Sequence, residues 1–451
     1  MTHTVTIEPI GEQIDVEEGQ TILQAALRQG VWLPFACGHG TCATCKVQVL
    51  EGDVEVGDAS PFALMDVERD EGKVLACCAT VDSDVVIEAD IDVDPDFEGY
   101  AVEDYCATVS RIVDLSPTIK GIHLKLDRGM TFQAGQYINL ELPGVDGPRA
   151  FSLANPPSKA DEVELHIRLV EGGAATGYLH NQLKVGDEVN LSGPYGQFFV
   201  RNSQDGDLIF IAGGSGLSSP QSMILELLES NDSRQITLFQ GARNLDELYN
   251  RELFEALQRE HENFSYVPAL SDVDEGSEWQ GFKGFVHEAA KAHFDGRFAG
   301  HKAYLCGPPP MIDAAITALM QGRLFERDIF MERFLTAADG AGETQRSALF
   351  KRSECSAMSN VYRVVMQQSG QSFDCRAQQS VLKAMEQSGL RCVPVGCRGG
   401  GCGFCKVKVL KGDYECGKMS RLHAPPEAVA NGEVLACRVF PLSDLIIECQ
   451  Q

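Results

Sequence analysis

The sequence is poor in positive charge: over 451 residues, 38 lysines and arginines stand against 65 aspartates and glutamates, a net −27. A surface of that sign repels a phosphate backbone, so nucleic acid is not the expected partner. No apolar run approaches the ~20 residues that a bilayer span needs, and the opening MTHTVTIEPIGEQ has neither the basic nor the apolar region of a secretory signal. A cytoplasmic protein without membrane attachment is predicted. Hydrophobic residues at 44% and charged residues at 23% describe a globular chain, long enough for three or four domains.

The acidity is uneven. Residues 1–100 carry 21 acids against 4 bases, whereas residues 360–451 carry 8 against 11. The first segment suits docking on a basic protein surface and the last should prefer a different partner, although acids that merely solvate a surface give the same composition. The 16 cysteines of a cytoplasmic protein argue for metal ligation or thiol chemistry over disulfides. Cys37, Cys42 and Cys45 in CGHGTCATC, with Cys77 following in VLACCA, have the C-x4-C-x2-C and distant-cysteine spacing of a plant-type 2Fe-2S site. Cys397, Cys402 and Cys405 in CRGGGCGFC, with Cys437 in VLACRV, repeat it.

Three thiolates from one loop can wrap a cluster only where the backbone turns tightly and aims amides at sulfur, which Gly38 and Gly40, and Gly399 to Gly401, permit. Zinc is the competing reading, but zinc sites usually pair two short C-x2-C-like knuckles. A helix pattern precedes each loop (TILQAALRQG, SVLKAMEQSGL) and alternating strands follow (CKVQVLEGDVEVG, CKVKVLKGDYECG). The remaining cysteines are read as packing residues and His39 as a surface residue.

Between the repeats, residues 103–205 show strand-length alternation with turn residues, such as YINLEL, EVELHIRLV and EVNLSGPYG, which predicts an antiparallel β-barrel. Within it lie RAFSLAN and EGGAATGYLH, an arginine and serine suited to phosphate and ring nitrogen, and a glycine turn opening a helix. From Asp207 the pattern becomes buried strand, glycine turn and helix, the alternation of a parallel α/β sheet. Gly213, Gly214 and Gly216 follow its first strand and can bring backbone amides to a pyrophosphate. Asp246 and Glu247, close to Arg243, make a poor site for a 2′-phosphate and favour NADH over NADPH.

In this order, RAFS, GGSG and Cys306-Gly307-Pro308-Pro309 resemble the ferredoxin-NAD(P)H reductase superfamily. The resemblance implies FAD contacts at Arg149, Phe151 and Ser152, and diphosphate or dinucleotide contacts at His166, Arg168, Gly172, Gly173 and Thr176. Phe151 departs from the usual tyrosine, which keeps ring stacking and removes a hydroxyl. Cys306, Gly307 and Pro308 are implied at the nicotinamide, with Phe334 beside the flavin ring. Ser152, Cys306 and Phe334 are thereby the catalytic candidates. His166 and Arg168 also fit an ordinary strand, and Cys306 an ordinary buried strand end.

Residues 1–350 resemble the reductase components of bacterial multicomponent phenol hydroxylases, and residues 358–451 the small ferredoxins that re-reduce catechol 2,3-dioxygenase. The implied order is an α+β (β-grasp) ferredoxin domain at 1–98, an FAD-binding β-barrel at 103–205, an NAD-binding α/β domain at 206–337, a flexible linker at 338–360 and a second α+β ferredoxin domain at 361–451. NADH, FAD and two 2Fe-2S clusters would then carry electrons to an oxygenase or hydroxylase component. A reductase of a Rieske ring-hydroxylating dioxygenase and a non-enzymatic electron carrier are the alternatives.

Overall fold

The computed structural model describes residues 2–91, 94–145, 147–273, 279–333, 361–367, 369–376, 379–388, 390, 393, 405–416, 419, 425, 428–429 and 431–449. Two compact units divide the chain, Met1–Arg346 and Ser347–Gln451. Among the described residues no helix is long and apolar enough to cross a membrane.

The first unit opens with a five-stranded mixed sheet in the order Glu12–Glu17, Thr2–Glu8, Val85–Glu88, Lys46–Glu51, Lys73–Leu75. Alternation along Thr2–Glu8 turns Val5 and Ile7 inward, and both are fully buried against the helix Ile22–Arg28. That helix starts at Thr21 because its hydroxyl accepts from Gln24 N while the Gln24 side chain accepts from Thr21 N, a reciprocal cap.

Six antiparallel strands follow, in the order Arg149–Ser152, Tyr137–Leu140, Glu188–Tyr195, Glu103–Ser116, Ile119–Leu126, Glu162–Arg168. A bridge from Leu153 to Leu165 links the two edges, so the sheet curls back on itself. The third sheet is parallel, in the order Phe282–Lys283, Phe264–Leu270, Ile236–Ala242, Asp207–Gly213, His301–Gly307, Ile329–Arg333. Its central strand, DLIFIAG, is buried on both faces, as a parallel strand flanked by helices must be.

The second unit repeats the first sheet strand for strand: Ser372–Arg376, Val361–Met366, Leu445–Cys449, Lys406–Lys411, Glu433–Leu435. Even its irregularities recur. The register slips between Val49 and Glu51 and again between Val409 and Lys411, each just before a Gly-Asp turn whose aspartate amide is capped by a serine hydroxyl, Ser83 in one and Ser443 in the other. The linker at 338–360 lies outside the described residues.

Candidate functional site

In the first cysteine loop, Gly38 and Gly40 take positive φ, and the resulting turns point backbone amides at sulfur. His39 N and Thr41 N donate to Cys37 Sγ at 3.5 and 3.4 Å, Cys37 N to Cys42 Sγ at 3.4 Å and Gly40 N to Cys77 Sγ at 3.2 Å. Burial works against the Cys37 thiolate, but hydrogen bonds from Thr41, His39 and Cys42 outweigh it and bring the thiol down to about 6. A Cβ at Gly40 would lie 2.6 Å from Cys78 Sγ, so the surplus thiol packs under the loop. His39 is exposed, with Nδ1 2.6 Å from the Cys37 carbonyl. Among the described residues no group of three or more His, Cys, Asp or Glu closes around a single metal ion. Four backbone amides aimed at the sulfurs of Cys37, Cys42 and Cys77 suit an anionic iron-sulfur core.

In the second unit Cys405 and Cys437 are both buried, and Ala436 N donates to Cys405 O at 2.8 Å as Ala76 N does to Cys45 O at 2.9 Å. Cys397 and Cys402 lie outside the described residues.

The curled sheet and the parallel sheet enclose a cleft of about 1160 Å³. Its walls bring together Phe151, Ser152, His166, Arg168 and Thr176 from one side with Gly213, Gly214, Gly216, Gly307 and Pro308 from the other. The glycine turn is dictated by close approach: a Cβ at Gly216 would sit 2.6 Å from the Cys306 carbonyl, and one at Gly214, which has φ +57, would sit 2.7 Å from Arg168 Nη1. Arg168 is thereby seated on the turn, a cation beside amides at the start of the helix Ser218–Glu229. His166 is buried and committed, its ring nitrogens 3.1 Å from Tyr249 Oη and 2.9 Å from Glu164 Oε1. Because Tyr249 in turn donates to Gly214 O, His166 shapes the turn from behind.

Some expected contacts lie elsewhere. Arg149 is exposed and is not part of the cleft wall; its Nη1 donates to the carbonyls of Gly147 and Pro148. Gly172 and Gly173 border an adjoining hollow of about 520 Å³ at the helix Ala174–Asn181. Cys306 is fully buried behind the cleft, its thiol pushed up by burial and by Glu332. Phe334 lies outside the described residues.

Glu332 was not anticipated. It pairs across the strands with Cys306, lines the cleft, and its Oε2 accepts from Ser152 Oγ and Ser219 Oγ, both at 3.0 Å. Burial raises its carboxyl to about 7 against those two hydrogen bonds. The sequence signal is an acid on the inward face of an apolar strand, IFMER, two residues after Phe330. Arg243 and Glu247 also line the cleft and form an ion pair, with Arg243 Nε 3.0 Å from Glu247 Oε2.

Comparison with known families accounts for all these parts. The 2Fe-2S iron-sulfur cluster binding domain matches twice, at residues 5–82 and 364–442, the oxidoreductase FAD-binding domain at 106–200 and the oxidoreductase NAD-binding domain at 210–317. The reductase component DmpP of phenol 2-monooxygenase from Pseudomonas sp. (strain CF600) is 79% identical over 352 residues, which is 78% of this chain and 100% of that protein. The chain belongs to the phenol hydroxylase reductase family. Another relative of this reductase, the phenol hydroxylase P5 protein of Acinetobacter pittii (strain PHEA-2), is 69% identical over 351 residues, 78% of this chain and 99% of that one. Among solved structures, the ferredoxin reductase in carbazole 1,9a-dioxygenase superposes with a TM-score of 0.60 at 27% identity, over 74% of this chain and 99% of that one. The reductase is therefore an NADH-dependent electron-transfer oxidoreductase of FAD and 2Fe-2S clusters, carrying a second ferredoxin-type domain beyond the region its curated relatives share.

Proposed function

We propose that the chain oxidises NADH in the cleft and delivers single electrons through its first cluster to the di-iron hydroxylase of a phenol monooxygenase. One observation carries this reading: Ala36, the neighbour of Cys37, lines the same cleft as Phe151, Ser152, Gly307 and Pro308, so cluster loop, flavin motif and nicotinamide motif meet on one cavity. Bound FAD supplies the conversion between a two-electron hydride donor and one-electron iron carriers. The protein's own groups do the rest. Arg168 and the Gly214–Gly216 amides would receive diphosphate, Phe151 would cover the ring, and Ser152 and Ser219 donate to Oε2 of Glu332, orienting a carboxyl that, poised near 7, can exchange a proton at neutral pH. Cys37, Cys42, Cys45 and Cys77 would ligate the first cluster and Cys397, Cys402, Cys405 and Cys437 the second.

The acidic first domain presents Phe62, 86% exposed, next to the cluster loop, where Ser60 N donates to Gly40 O. An apolar anchor in an acidic rim suits a basic protein acceptor in the cytoplasm. The more basic second ferredoxin domain fits a different acceptor, and a ring-cleaving catechol 2,3-dioxygenase in need of re-reduction is our assignment. Fusion would hold that carrier near its electron source at high effective concentration.

Anaerobic NADH titration of the purified chain, followed by visible and EPR spectroscopy with iron counted, tests the scheme. Bleached flavin and two reducible cluster signals are expected; a first cluster that NADH leaves oxidised would overturn it.

Nucleotide preference gives a separate prediction. With Arg243 held by Glu247 and a carboxylate facing the site, a 2′-phosphate meets repulsion. Glu247→Gln should raise kcat/KM for NADPH relative to NADH by roughly tenfold, about 1.4 kcal/mol of relieved repulsion. Steady-state kinetics with both nucleotides decide it, and an unmoved ratio places discrimination elsewhere.

A further inference from the structure

Two connectors join the three folds of the first unit. Asp94–Val102 leads from the ferredoxin sheet into the curled sheet, and Gln197–Gly206 leads from the curled sheet into the parallel one. They are clasped to each other. Arg201, 8% exposed, donates from Nε to Asp94 Oδ2 at 2.9 Å and from Nη1 to the Gln197 and Phe199 carbonyls at 3.0 and 2.7 Å. Two residues further along both connectors, Ser203 donates from N and Oγ to the Asp96 carboxylate, the hydroxyl at 2.6 Å.

The clasp reaches in both directions. Towards the ferredoxin fold, Phe199 stacks on Phe97 at 5.9 Å, and Phe97 meets Trp32 edge-on at 5.4 Å, four residues before Ala36 in the cleft wall. Towards the parallel sheet, the Arg201 guanidinium lies over Phe330 at 4.6 Å, while the backbone N–H of Arg201 donates to Tyr304 Oη at 2.9 Å. Phe330 and Tyr304 are a cross-strand pair, and the next pair on the same face is Glu332 and Cys306 at the cleft. A planar, permanently charged fork is what can satisfy a carboxylate and two carbonyls while stacking on rings; lysine cannot do all three.

We propose that Arg201 is a positioning residue that locks the connectors and so holds the first cluster loop at the flavin cleft, setting the rate of flavin-to-cluster electron transfer without touching hydride transfer. The step moves a single electron and neither makes nor breaks a bond. It rests on the electron route given above.

The test uses the full chain as Arg201→Met, Arg201→Lys and Asp94→Asn, with two readouts. Hydrogen exchange of the connector amides, measured without cofactor turnover, should quicken at Asp96 and Ser203 in Arg201→Met. Stopped-flow should show cluster reduction slowed about tenfold or more with flavin reduction by NADH within about twofold of the parent, since small misplacements cost rate steeply. Arg201→Lys should lie between, and Asp94→Asn should move both readouts the same way. Unchanged exchange, or loosened connectors with a parental cluster-reduction rate, would overturn the proposal. If Arg201→Met does not accumulate folded, the two milder variants carry the same comparison. Failure of the underlying electron route appears instead in the parent protein, as a cluster that NADH does not reduce.

Discussion

Alanine at Cys77 should halve the iron bound per chain and cut NADH-driven reduction of a protein acceptor about a hundredfold or more, while NADH oxidation by ferricyanide persists at the flavin. Cys77 is the one proposed ligand of the first cluster that comes from outside the loop, and it is buried, with Gly40 N donating to its sulfur at 3.2 Å. Removing it leaves three thiolates for two irons and an amide aimed at nothing. Alanine is preferred to serine because an alkoxide can still ligate. Cys437→Ala provides the contrast: iron should again halve, yet transfer to the hydroxylase should stay near the parental rate. Iron analysis with both acceptor assays checks the pair. The reverse pattern would mean that electrons leave through the second ferredoxin domain.

Glu332→Gln should cost activity and add stability, each with its own pH dependence. Losing a proton carrier held between Ser152 and Ser219 should slow flavin reduction by NADH on the order of a hundredfold, and flatten its pH profile near neutrality. For stability the sign follows from the raised carboxyl. Its pKa stands near 7 in the fold against an ordinary 4.5. Between those values the folded chain keeps a proton that the unfolded chain has lost, so stability falls as pH rises through that window. Above it the folded state carries the full cost of the partly covered carboxylate, on the order of 2 kcal/mol after allowance for residual exposure. The glutamine variant without cofactor should therefore melt higher than the parent at pH 8 and lose that advantage near pH 4.5. An equal difference at both pH values would assign the effect to packing.

What could be read from the chain was local. The first cysteine loop with its two glycines, and the helix that TILQAALRQG announces, each depend on neighbours within a turn or a loop. Their geometry follows from backbone sterics and short-range hydrogen bonds. Expectations that came by resemblance fared according to what surrounds each side chain. Ser152, His166 and Arg168 line the cleft, His166 with both ring nitrogens bonded to neighbours, whereas Arg149 turns back onto its own turn. Which of several polar side chains on alternating strands faces a cavity depends on the opposite wall, which pattern does not describe.

By itself, then, the sequence determined the double ferredoxin pattern, the order of the folds and the redox class, because ligand spacing, strand period and turn chemistry are properties of contiguous residues. Tertiary structure alone decided the rest. Ser152 finds Glu332 180 residues away, and Arg201 finds Asp94 across 107. A carboxyl becomes a proton carrier near neutrality, and an arginine becomes a clasp, only when folding removes water and supplies distant partners in fixed positions.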